Sequence, residues 1–321
     1  MSSESAPPTN PIADLPSGEP IPQSSPVPSS STPSSSPKKK PSIPLRTLLS
    51  LTPKNLDAFL AHLNRCLSTP SGIDTVLLFV CYTSRLSSSL LAALATRALH
   101  RSASDWIALV SASRTTVVAI TDSSKLPSTA AAAASLLLAD RLKNLSSLLS
   151  EARTILRLWG LLGMYFWAKR LLTQTFSAQS KTEKADGAPQ PTTLDTVISY
   201  SQLATCIVFQ ALENGAYLSS KGVMGWSPAK QGWAMKWSAR LWGLYVGVEL
   251  GKLAAQRVGG VATKDVKAAA AWKSAFVRNL AWAPLTVHWG SDKGVVSDWM
   301  VGALASVPGV IQMAELWRET A

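Results

Sequence analysis

Four basic residues, Arg141, Lys143, Arg153 and Arg157, stand within the stretch LADRLKNLSSLLSEARTILRLWG (138–160). Their chemistry is phosphate binding, arginine as a planar fork and lysine as a point charge. Leu138, Leu142, Leu145, Leu149, Ala152, Leu156 and Trp159 recur among them at spacings that alternate between four and three, the stripe of an amphipathic helix. Leucine and tryptophan on one face with Lys and Arg at its borders suit an anionic phospholipid interface. Each basic residue near such a surface contributes about 1 kcal/mol. The same spacing also builds the wall of a soluble helical bundle, and periodicity taken alone favours that core role.

Acid–base, nucleophilic and metal chemistry find no comparable constellation. His62, His100 and His288 form no HExxH pair and adjoin no nucleophile motif. No Walker loop is present, and no GxGxxG follows a strand pattern. Asn214 and Gly215, in LENGAY, read as a helix end and not as a phosphate cradle. Cys66, Cys81 and Cys206 lie far apart in apolar contexts, with neither zinc spacing nor a disulfide framework, which points to a reducing compartment. The expectation is a non-enzyme with no catalytic residue, metal or cofactor.

A second pattern concerns packing. Ala239, Gly243, Gly247, Gly251 and Ala255 fall every four residues. Glycine costs about 1 kcal/mol relative to alanine in a water-exposed helix, so three on one face need a reason. Close approach of helices of the small-xxx-small kind supplies one, chiefly in membranes, and makes these residues the expected self-association face. Glu249 beside it must be paired or near the interface. Trp226, Trp233, Trp237 and Trp242 precede the glycines, and Trp282, Trp289 and Trp299 precede the last apolar run, as in an interfacial aromatic belt. No nucleic-acid module accompanies this mixture of aromatic and basic residues, so a nucleic-acid partner is not expected.

The elements that must position these residues are helical. Of 321 residues, 46% are hydrophobic and 16% charged, against about a quarter charged in ordinary soluble domains. The net charge of +12 calls for an anionic partner. No secretory signal is expected after Met1. Residues 1–44 hold twelve of the twenty prolines among serines and read as a disordered tail. A helical N-terminal half (45–175) carries the amphipathic helix, a polar linker covers 176–193, and a helical membrane half occupies 194–321. Helices are expected from Pro53, over about 73–100, and without a break over about 130–174. The charge-free stretches 196–212 and 299–314 approach the length needed to cross a bilayer. A polar loop is expected over 257–271. The fold class is all-α: a membrane-associated helical protein with amphipathic helices, and with candidate transmembrane helices in its C-terminal half.

Several segments, taken in order, resemble the peroxisomal biogenesis factor 11 (peroxin-11) family, gamma-like or fungal C-type branch. SGIDTVLLFVCYTSRL (71–86) is similar to an early family helix through Asp74, Tyr82 and Arg85, with Thr75 where the family carries lysine. LSSLLSEARTILRLWG (145–160) resembles a Leu-Ser…Arg…Leu-Arg-Leu segment through Leu149, Ser150, Arg153, Leu156 and Arg157. LENGAYLSSKGVMGW (212–226) matches through Glu213, Asn214, Leu218 and Gly222, WSARLW (237–242) resembles a Ser-Arg stretch, and VGALASVPGVIQM (301–313) resembles the apolar C-terminal segment. The resemblance implies a protein of the peroxisomal membrane that self-associates and elongates the membrane ahead of division. It also implies recruitment of dynamin-type fission machinery. A metabolite pore and a soluble helical scaffold are the competing expectations.

Overall fold

The computed structural model describes residues 53–112, 126–180, 193–260 and 266–321. Among these the chain is all helical, with eight helices: α1 (Pro53–Cys66), α2 (Pro70–Ala112), α3 (Leu126–Arg157), α4 (Gly160–Ser180), α5 (Thr193–Ser220), α6 (Pro228–Val258), α7 (Val266–Gly290) and α8 (Asp298–Glu319). The expected tail (1–44) lies outside the described residues.

Local chemistry sets the helix ends. Thr69 Oγ1 accepts from Gly72 N at 3.0 Å and opens α2, with Pro70 in its first turn. Gly72 is required there, because a Cβ would lie 1.9 Å from the Cys66 carbonyl oxygen. Ser227 caps α6 by accepting from Lys230 N, again with proline at the first helical position. Three expectations are corrected. The helix expected over 130–174 breaks at Leu158–Trp159, where the released Leu158 carbonyl accepts from Asn214 Nδ2 and Gly160 lets Gln210 approach. The loop expected over 257–271 is shorter, since α7 begins at Val266 on an alanine run of high helix propensity. Asn214 and Gly215 lie inside α5; Gly215 is there because a Cβ would stand 2.3 Å from the Trp226 ring.

The long helix α2 runs between α3 and α8, and α8, α7, α6 and α5 follow as successive antiparallel neighbours. α4 packs on α5. α1 joins α2 to the end of α8, where His62 stacks 3.7 Å from Trp317 and donates through Nε2 to its carbonyl at 3.0 Å. The core gathers Leu78 and Tyr82 from α2, Phe209 from α5, Trp242 and Val246 from α6, Trp282 and Leu285 from α7, and Val301 and Ala305 from α8. Its aromatic rings meet edge-on, Trp242 to Trp282 at 5.2 Å and Tyr82 to Trp282 at 6.0 Å.

Among the described residues two helical stretches are long and apolar enough to cross a membrane, Pro70–Arg101 and Asp298–Glu319. The second agrees with the expectation for the C-terminal half. The first lies in the N-terminal half. The 196–212 stretch does not qualify; α5 carries Gln202, Gln210 and Glu213 on its buried face. The two apolar helices also pack closely. Gly302 and Gly309, seven apart, sit against the backbones of Leu86 and Phe79, also seven apart, at 2.9 and 3.2 Å from an added Cβ. Such backbone contact through small residues characterises helix pairs in lipid.

Candidate membrane interface

α3 meets α2 through small and polar side chains, not through its leucines. Buried positions on α3 recur every seven residues at Ala132, Ala139, Ser146 and Arg153. On α2 the half-buried Asp74 and the buried Cys81, Ser88 and Ala95 recur likewise, and the antiparallel register sets the two series opposite each other. Arg153 donates through Nε and Nη2 to the two Asp74 oxygens at 2.8 and 3.1 Å. Cys81 Sγ donates to the Ser146 carbonyl at 3.3 Å, and Ser88 Oγ to the Ala139 carbonyl at 2.7 Å. Ala95 and Ala132, both buried, continue the register.

This seam turns the leucine stripe outward. Leu138, Leu145, Leu156 and Trp159 are exposed, together with Leu137, Leu148 and Ile155; Leu148 is 63% and Trp159 76% accessible. Leu142 and Leu149 are half-buried, and Leu149 packs against the core. Exposed polar residues, Asp140, Lys143, Asn144 and Ser147, form a third sector. α3 thus carries a protein-facing seam, an outward apolar face and a polar edge.

The four basic residues divide in two. Arg141 and Lys143 are exposed, Arg141 among the leucines. Arg153 is 2% accessible, and burial opposes its charge, but Asp74 outweighs that effect and holds its pKa above the ordinary value. Arg157 Nη2 donates to Glu213 Oε1 at 2.6 Å. Burial pushes the Glu213 carboxyl pKa up, and Arg157 offsets part of that. Gln210 Nε2 donates to Glu213 Oε2 at 3.2 Å and to Asn214 Oδ1 at 2.7 Å. The expectation that Arg153 and Arg157 bind lipid headgroups is therefore corrected: a buried arginine needs a fixed internal partner, and both have one. At the edge of this network Glu151 pairs with Lys221 and accepts from the Tyr217 hydroxyl at 3.1 Å. Periodicity misses the network because Asp74, Glu213 and the two arginines are distant in sequence.

The glycine face of α6 also divides. Ala239 is buried, and Gly243 faces α7, where a Cβ would lie 2.9 Å from Thr286 Oγ1. Gly247, Gly251 and Ala255 are exposed, and a Cβ at either glycine would meet nothing within 4 Å. Glu249 is paired, as expected, with Lys252 at 2.8 Å and with Gln202 at 2.6 Å. Among the described residues no group of His, Cys, Asp and Glu could hold a metal ion. Comparison with protein-family models, with curated proteins and with solved structures yields no match.

Proposed function

We propose that this chain is a peroxisomal membrane protein that promotes elongation, proliferation and division of the organelle. The observation that carries the membrane part is the inversion of α3: its small and charged residues lie inside, and its leucines and Trp159 lie outside. In water an outward face of Leu137, Leu138, Leu145, Leu148, Ile155, Leu156 and Trp159 would leave seven large apolar side chains exposed along one helix and its end, a grouping that marks an interaction surface. In a bilayer the same face is solvated.

The mechanism follows from wedge geometry. The outward face of α3 inserts into one leaflet, while Asp140, Lys143 and Asn144 stay at the headgroups and Arg141 reaches up from among the leucines. Area added to one leaflet favours curvature. Gly247, Gly251 and Ala255 are open to a second copy of the chain, which would concentrate wedges. The peroxisomal address and a dynamin-type partner rest on the family resemblance. It is supported by one coincidence: the residues through which the likeness runs include both partners of two internal ion pairs, Asp74 with Arg153 and Arg157 with Glu213.

The test uses Leu145→Glu with Leu148→Glu, both outward positions. Purified protein reconstituted into vesicles containing phosphatidylserine should tubulate them, and the double variant should not, while retaining its helical circular dichroism. Equal tubulation by both would overturn the wedge.

A further inference from the structure

α4 is apolar on both of its sides. Its inner side, Gly160, Met164, Trp167, Leu171 and Thr175, packs on α5 and the core; Gly160 touches Gln210, and the Thr175 and Tyr200 hydroxyls lie 3.1 Å apart. Its outer side presents Leu162, Tyr165, Phe166, Leu172 and Phe176, with Tyr165 60% and Phe176 66% accessible. An outer apolar face of this kind, with Lys169 set among its rings, needs a partner to cover it. Here no other described helix covers the outer side.

Three observations say what does. No acidic residue occurs in 160–180, and the charges are Lys169 and Arg170, so the helix suits a negative surface. α4 is not among the stretches long and apolar enough to cross a membrane, so an apolar face of this size would lie in the plane of the interface. Tyr, Phe and Trp are the residues of that depth, and along the chain these exposed rings directly follow the exposed Leu156 and Trp159.

We infer that α4 is a second, in-plane lipid-binding element, with the headgroup region of an anionic bilayer as its ligand and Tyr165, Phe166 and Phe176 as its anchors. This rests on the membrane reading above and extends it: α3 and α4 form a bent pair, the leucine limb reaching acyl chains and the aromatic limb gripping the interface. Lys169 lies on the outer side of α4 and reaches phosphate as its stem covers the rings.

The experiment places the photo-crosslinking residue p-benzoylphenylalanine, one site at a time, at Phe166, Phe176, Leu148 and Gln174 of the full chain. Each protein is reconstituted into vesicles of phosphatidylcholine and phosphatidylserine, irradiated and weighed by mass spectrometry. All four sites are exposed, so the fold tolerates them. Phospholipid adducts at 166 and 176, several-fold above those at Gln174, are the expected result. Adducts to a second polypeptide at 166 would overturn the inference, as would no adduct at either aromatic site. Lipid at 148 with none at 166 and 176 would overturn the role of α4 and leave the α3 wedge standing. No lipid at any site would overturn both.

Discussion

The Arg153 guanidinium spans both carboxylate oxygens of Asp74, at 2.8 and 3.1 Å, on the side of α3 opposite its exposed leucines. This ion pair closes one end of the seam that turns α3, with Ser146, Ala139 and Ala132 continuing it and the leucines left outside. Replacing Arg153 with alanine strands Asp74 in a largely buried site. We expect a loss of about 3–5 kcal/mol, the usual cost of breaking a buried pair. Thermal unfolding in detergent measures it. The exchange Asp74→Arg with Arg153→Asp should recover part of the loss, which neither single reversal does.

Arg141 and Lys143, by contrast, should matter to lipid and not to folding. Replacing both with glutamine changes the melting temperature little. Each lost cation weakens binding to anionic vesicles by about 1 kcal/mol, or about fivefold. Flotation at increasing salt checks this, since the difference from the native chain should shrink as salt screens the surface.

Gly302 and Gly251 predict opposite outcomes for one kind of change. Gly302→Ala drives a Cβ to 2.9 Å from Leu86 N and pushes α8 off α2. We expect a destabilisation of about 1–3 kcal/mol, as for other overpacked contacts. Gly251→Ala meets nothing in the monomer and gains up to about 1 kcal/mol of helix propensity. Gly251→Leu leaves the monomer intact but lowers chemical cross-linking between copies, if the outer small-residue face joins them.

Glu151 gives a weak acid dependence. The hydrogen bond from Lys221 holds its carboxyl pKa below the ordinary 4.5. Its contribution is therefore fully present above pH 4.5 and is lost as pH falls through the lower folded value. Lys221→Ala should flatten this limb of the stability profile by well under about 1 kcal/mol, because the pair is largely exposed to solvent.

Much of the helix layout was legible. Pro53 marked a start that the structure keeps. The apolar stripe of α3 was legible as well, but its direction was not. Leucines every three and four residues describe a core and a lipid-facing surface equally well, because periodicity reports a face and not its solvent. The informative signal was the weaker one, Ala132, Ala139, Ser146 and Arg153 repeating every seven opposite Asp74, Cys81, Ser88 and Ala95. Small residues carry little weight in an apolar pattern, so the seam was hidden. The lipid role expected of Arg153 and Arg157 failed for the same reason: a charge on a helix looks solvent-facing until its partner is found on another helix.

The most direct measurement is imaging of the tagged full-length chain beside a peroxisomal marker, at native and raised expression, together with its Leu145→Glu, Leu148→Glu variant. The account predicts that the native chain coincides with the marker and that raised expression elongates or clusters the organelles. The variant should leave them round. A diffuse or nuclear signal, or equal elongation by the variant, would contradict it.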